Sequence, residues 1–541
     1  MVRFIKQHHL SLVIIVFLLY SSIAIYKSSF IVLGTRYFLL SDDIMIQMKY
    51  AYNFIHGYGL VWNAAGPRVE GITDPLWVIY LGLLHLIPLP PSKISILVQF
   101  SGALFMASSL YFVKKIADLV SNSSLFVVFL SLIFTAFYFP LINWSVILGT
   151  EISIMTLFLT ATVYLTLKTI KNKKFSLLLF FVFGVGTLIR MDFFLPAAIM
   201  TAYLIIFDSK NRKKYFAIGI PIILLFVATQ EILTYWYYHE LLPNTYYLRL
   251  AGYPILPRIT RGLLHTKNAF LLTILSLNLF IVLFPYIGLY FTKNKKLLLL
   301  LAVFTGEIFY NIYLGGDSWE HYGGANHFYA FVMPLFFISL FMTMNFMRQK
   351  IVRSIRFGIE HKILEIILMC FIFLIINRSN EHELPQLFLI KQFPTVKENW
   401  VRVVEALQLN EVTTPSAKIV VSGAGIISYF AHGYFIDALG KNDKVIAREP
   451  AHIPKKFVSL FVEYTYFYSG HMKWDYPYIL KTYKPDIITE LYGNFEWEDN
   501  RRFIVTHGYE LLPNTTAFYG LKGSKNIISN YKKLPIGPYN D

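Results

Sequence analysis

Acidic side chains in short groups are the residues of this 541-residue chain best suited to chemistry, and the first group is Leu40-Ser41-Asp42-Asp43. Adjacent carboxylates beside apolar sequence are costly to keep ionised unless solvated or paired, which suits a general base or a cation ligand. Ser41 and the two acids would also make an N-cap for an amphipathic helix, and from these residues alone the cap is the commoner use. Further polar groups recur down the chain: Glu70 in Val69-Glu70-Gly71, Glu151 after Gly149-Thr150, the turn Arg190-Met191-Asp192, Asn244 after Pro243, Arg249, Asp317 after Gly315-Gly316, and His321 and His327. No His/Cys cluster accompanies them, so a divalent cation is compatible with the acids without being demanded, and no other cofactor is implied. The sole cysteine, Cys370, lies in an apolar run and can form no disulfide within the chain.

The elements that must position these residues are membrane helices. The chain is 56% hydrophobic and only 15% charged, with a mean hydropathy of +0.52, too apolar for one ordinary water-soluble core. About eleven stretches approach the length a membrane helix needs: residues 10 to 27, 93 to 113, 124 to 140, 151 to 167, 176 to 189, 193 to 207, 216 to 236, 269 to 291, 297 to 313, 327 to 347 and 363 to 377. The first reads as an uncleaved signal anchor. The net charge of +17 falls in six clusters between spans: Arg3/Lys6, Lys114-Lys115, Lys171/Lys173/Lys174, Lys210 to Lys214, Lys293 to Lys296, and Arg348 to Lys362. If the spans alternate, all six lie on one side, the cytoplasmic one. That placement explains the charge without nucleic acid.

Residues 28 to 92, 237 to 268, 314 to 326 and everything past about 378 then face the other side. Two domains are expected: a membrane module over 1–377, with the Asp-Asp motif on its outer loop 28–92, and a soluble α/β domain over 378–541. Short β-like runs at 418 to 422 and 486 to 489 support the second. Gly423-Ala424-Gly425 after the first of these runs invites a dinucleotide reading, which the missing third glycine and downstream acid exclude. Trp62, Trp77, Trp144, Trp236 and Trp319 fall near span ends and read as an aromatic belt. Glu231 and Glu307 lie within apolar spans, where pairing or snorkelling is expected.

Taken together, Asp42-Asp43, the aromatic stretch Tyr50 to Phe54, Gly57-Tyr58-Gly59-Leu60-Val61-Trp62-Asn63 and Val69-Glu70-Gly71-Ile72-Thr73-Asp74-Pro75-Leu76-Trp77 resemble a bacterial family of the GT-C glycosyltransferase superfamily. It is the family that includes the mycobacterial terminal arabinofuranosyltransferase. The likeness continues through Gly149-Thr150-Glu151, Arg190-Met191-Asp192, Leu242-Pro243-Asn244-Thr245, Gly315-Gly316-Asp317, Gly423-Ala424-Gly425 and Ile436-Asp437-Ala438-Leu439-Gly440, and so covers most of the chain. Two departures are Asp74, where Asn is commoner, and Asn326-His327-Phe328, where the family has Arg-Phe.

The resemblance implies a polytopic α-helical membrane protein of GT-C type. It implies a multi-pass enzyme of the bacterial inner membrane whose active site and α/β domain face the periplasmic side. Its donor would be a polyprenyl-phosphate sugar, hexose or pentose, and its acceptor a cell-envelope glycan or glycolipid of the cell wall or lipopolysaccharide. Asp42 would be the base, with Asp43 as the alternative, and Arg190, Arg249 and His321 would meet the donor phosphate. Glu70, Glu151, Asp192, Asn244, Asp317 and His327 would complete substrate binding. Two other functions share the many spans: a lipid-linked glycan flippase, and an oligosaccharide polymerase or ligase. Flippases place ionisable groups at the bilayer midplane, often in repeated halves, whereas the acids here gather at span ends.

Overall fold

A computed structural model describes residues 2–271, 277–317, 327–354, 359–377, 383–453, 470–493, 497–535 and 539. By length and composition, five of its helices can cross a membrane: His8–Lys27, Pro91–Ser121, Ile152–Asn172, Ser209–Tyr238 and Lys295–Leu314. The pair Leu125–Ala136 and Phe139–Ile147, bent by 51° at its break, makes a sixth if it counts as one span. Shorter apolar helices occupy most of the other expected spans, among them Leu177–Ile189, Met191–Phe207, Phe280–Thr292 and Ile363–Ile376. Among the described residues, length and composition together thus give five or six spans, beside the eleven apolar stretches of the sequence. Pro75–His85, which the sequence reading left inside an outer loop, is a further apolar helix. Proline at its first turn starts it with a φ already set for a helix.

The chain divides into two compact units. The first holds residues 1–26, 99–230 and 262–391; the second holds 27–98, 231–261 and 392–541. The second therefore gathers nearly the three long segments that alternation of spans leaves on one face.

In the first unit, helix ends follow local sequence rules. Lys295–Leu314 starts where the Asn294 side chain accepts the N–H groups of Lys296 and Leu297 and stops at Gly315 with φ 89°. Gly316 follows at φ 78°, so the Gly-Gly pair ends the helix and sets the direction in which Asp317 leaves it. Close packing depends on small residues. A Cβ on Gly102 would overlap the carbonyl oxygen of Ser145, which lies in the Asn143–Ile147 π-helical turn.

The second unit is built on a small hairpin and a mixed sheet. The hairpin pairs β1 (Phe30–Val32) with β2 (Thr35–Tyr37). The sheet comprises β3 (Lys418–Val421), β4 (Tyr434–Asp437), β5 (Ile487–Ile488), β6 (Tyr509–Leu511) and β7 (Tyr519–Leu521), in the order β4-β3-β5-β7-β6. β3 runs parallel to both β4 and β5, while β7 is antiparallel to β5 and β6. The apolar runs expected at 418 to 422 and 486 to 489 are β3 and β5, adjacent interior strands of the sheet. Val420, Ile436, Ile488 and Trp474 form the core beneath them, which is the burial that continuous apolar strands require.

Candidate active site

The second unit carries Asp42, Asp43, Glu70, Asn244 and Arg249. Asp42 and Asp43 open the helix Asp42–Ile55, and the Ser41 side chain makes no cap hydrogen bond, so the local cap reading does not describe this turn. Instead the Asp42 carboxylate accepts the backbone N–H of Gly425 at 3.0 Å and of Ile426 at 2.8 Å. The glycine turn, excluded above as a dinucleotide signature, thus holds an aspartate of the same chain. Burial raises the Asp42 carboxyl above its ordinary value, against the pull of the Ile426 N–H, Arg402 and the Gly425 N–H. Asp43 points elsewhere: Lys441 Nζ lies 2.6 Å from its Oδ1, and its side chain is 34% exposed.

Beside Asp42 stands a group that the sequence reading missed. Arg402 forks onto Glu490 at 2.9 and 3.0 Å and reaches Glu405 at 3.2 Å. A Cβ on Gly423 would come within 3.1 Å of its Nε. Burial pushes Glu405 up to about 7 even with Arg402 beside it. Glu398, Arg402 and Glu405 share one face of the helix Pro394–Val412, and that three- and four-residue spacing was the available signal.

Glu70 is buried at 8% exposure, and its Oε2 has no hydrogen-bond partner among the described residues. Burial, and secondarily Glu231, pushes its carboxyl up to about 8. The Asn244 side chain donates to the carbonyls of Gly440, Lys441 and Asp443 at 2.8, 3.0 and 3.2 Å, and its backbone N–H donates to Glu70 O. Asn244 therefore fixes the loop that carries Lys441. Arg249 ends the helix Asn244–Arg249 and packs against Gly470.

The first unit brings together Glu151, Arg190 and Asp192, with Asp317 and His327. Arg190 caps the helix Leu177–Ile189 in an extended conformation, and one 3-10 turn, Met191–Phe193, leads into the next helix. That break turns Arg190 and Asp192 toward each other at 2.7 Å, and Arg190 also meets Glu151 at 2.8 Å. Arg190 Nη2 is buried without a hydrogen-bond partner among the described residues. Glu307, expected to snorkel or pair, is fully buried and lies in the field of Asp192 and Arg190, with neither carboxyl oxygen hydrogen-bonded among the described residues. His327, standing where the family pattern has Arg, pairs its imidazole with Asp317. The Phe328 ring next to it lies under the Arg190 guanidinium. His321 and Trp319 lie outside the described residues.

Among the described residues no three His, Cys, Asp or Glu side chains converge as a metal ion requires. The aromatic-belt reading fails for Trp62, Trp77 and Trp144, which are buried. Trp62 is held inside by a polar bond, its indole N–H lying 3.2 Å from both Ala424 O and Ser428 Oγ. Trp236, at 71% exposure, keeps the surface position expected of a belt residue.

Residues 394–528 match a family described as Domain of unknown function (DUF8728), less than half of the chain. No curated protein sequence matches the chain. Among solved structures, it is similar to ArnT from Cupriavidus metallidurans bound to undecaprenyl phosphate, with 11% identity, a TM-score of 0.50, and coverage of 81% of this chain and 88% of that one. It is similar also to the Archaeoglobus fulgidus oligosaccharyltransferase tethered to an acceptor peptide, at 10% identity and TM-score 0.52, covering 96% of this chain and 74% of that one. The AglB oligosaccharyltransferase of the same organism, in complex with an inhibitory peptide and a dolichol-phosphate, aligns at 11% identity and TM-score 0.51 over 96% and 75%. At such identities the likeness shows a shared fold alone.

Proposed function

We propose that this protein is a membrane glycosyltransferase that moves a sugar from a polyprenyl-phosphate donor to an envelope glycan or glycolipid. The observation that carries the reading is an ordered pair of aspartates, Asp42 and Asp43, at the start of one helix in a GT-C fold. That the solved relatives were captured with undecaprenyl phosphate and with a dolichol-phosphate supports a lipid-linked donor. A carboxylate takes the proton of an acceptor hydroxyl as its oxygen bonds to the anomeric carbon. The bond from that carbon to the phosphate oxygen breaks, and the phosphate keeps the electron pair. Phosphate is already a good leaving group, so no strong protein acid is needed, and single displacement inverts the anomeric centre.

The resemblance points to Asp42 as base. The hydrogen bonding favours Asp43, because both oxygens of Asp42 already accept backbone N–H groups, while Asp43 is the partly exposed acid. Arg249, in the same unit as the two aspartates, is the proposed contact of the leaving phosphate. In the first unit, the resemblance implies substrate-binding roles for Glu151, Arg190, Asp192, Asp317 and His327. The finer assignment to an arabinofuranosyltransferase-like subfamily, and the periplasmic side of the inner membrane, rest on the motif likeness and the basic clusters.

Purified full-length protein incubated with radiolabelled polyprenyl-phosphate hexoses and pentoses and an envelope glycan extract is expected to yield a labelled glycan. Asp43→Asn should lower kcat by roughly 100-fold or more with donor binding kept, and Asp42→Asn should cost less. The reverse order would make Asp42 the base. Full activity in both folded variants would sink the mechanism, and a product carrying a whole preformed oligosaccharide would point to the ligase reading.

A further inference from the structure

In open α/β sheets a ligand sits beyond the carboxyl ends of the parallel strands, where loops expose backbone N–H groups. In this chain that place, after β3 and β4, is filled by the segment that carries the two aspartates. Beyond β3, the N–H groups of Gly425 and Ile426 hold Asp42, and Trp62 donates to Ala424 O. A Cβ at residue 425 would overlap the Asp42 carbonyl oxygen, so only glycine allows the approach. Beyond β4, Asp437 accepts the N–H groups of Leu439, Gly440 and Asn442, closing a tight loop. Asn244 grips the same loop through three carbonyls. On it sits Lys441, whose ammonium pairs with Asp43 at 2.6 Å. Along the strand edge, the Asn63 amide donates to Phe435 O at 2.8 Å and accepts the Phe435 N–H at 3.1 Å.

We propose that residues 423–442 of the sheet domain position the Asp42-Asp43 pair for transfer, the Gly425 and Ile426 N–H groups seating Asp42 and Lys441 fixing Asp43. This rests on the transferase reading and assigns the sheet domain a part in the active centre. Lys441 is a positioning residue: it acts on substrate only through the carboxylate it holds. An ammonium beside a base keeps that base ionised and aimed. The Lys441 side chain is 21% exposed, so changing it leaves the core untouched.

The test uses the full chain in detergent, with polyprenyl-phosphate sugar as donor. Lys441→Met is expected to lower kcat about tenfold while donor KM stays within about twofold. It should also move the acid limb of the rate profile to higher pH, and Lys441→Arg should restore both. An unchanged kcat and pH limb in Lys441→Met, or no recovery in Lys441→Arg, would overturn the role of Lys441. Hydrogen exchange tests the seat without any substrate: Gly425→Ala should speed exchange in peptides covering residues 40 to 48, and unchanged exchange would overturn it. A wild-type chain that transfers no polyprenyl-phosphate sugar would overturn the transferase reading and the catalytic use of the seat, while the exchange result still decides whether the seat exists.

Discussion

Glu70 illustrates what single side chains contribute here. Its carboxyl is buried with one oxygen lacking a hydrogen bond among the described residues, and that burial pushes it from 4.5 up to about 8. Glu231 adds repulsion to the ionised form, and the Tyr50 and Tyr238 hydroxyls also feel its charge. Between those two values the folded state holds a proton that the unfolded state gives up. The stability this supplies is complete below about 4.5 and is lost as pH rises through about 8. Glu70→Gln carries no such proton, so its thermal midpoint should fall less than that of the wild type between pH 5 and pH 8.5. Parallel pH curves for the two proteins would show that Glu70 is ionised in the fold. That Glu70 belonged to a polar motif was visible in Val69-Glu70-Gly71. Its burial was not, because the residues that cover it come from other segments.

Elements here are placed by small residues and breaks as much as by apolar faces. Helix Pro91–Ser121 approaches the π-helical turn Asn143–Ile147 closely enough that a side chain at Gly102 would overlap Ser145 O. Backbone cannot yield as a flexible side chain does, so Gly102→Val should destabilise the protein by about 1 to 3 kcal/mol or block folding. A thermal or denaturant midpoint reads the effect, and an unchanged midpoint would show that the two segments part without cost. The extended residue Arg190 works by another route. Interrupting two short apolar helices, it turns two polar groups of one tripeptide onto a single ion pair. The break itself was legible in Arg190-Met191-Asp192, whereas the Glu151 partner, 39 residues away, was not.

For the molecule as a whole, topology is the first test. Six basic clusters fall on one side if the spans alternate, and residues 172 and 400 then lie on opposite sides. Single cysteines at those positions in a Cys370→Ser background should label from opposite faces of sealed vesicles. Labelling from one face would undo the alternation and the outer placement of the aspartates. Composition and hydropathy by themselves determined that the chain is a helical membrane protein, because each residue's preference for lipid or water is a local quantity that adds along a window. Short apolar runs set off by Gly and Pro likewise marked β3 and β5 of the C-terminal sheet. Tertiary structure alone decided which acids are tied down and by what: Asp42 is held by Ile426, 384 positions away, and Asp43 by Lys441, 398 positions away. Hydrogen bonds of that kind depend on distance in space and leave no periodicity in the sequence, so only the folded chain could show that the glycine turn after β3 binds the chain's own aspartate.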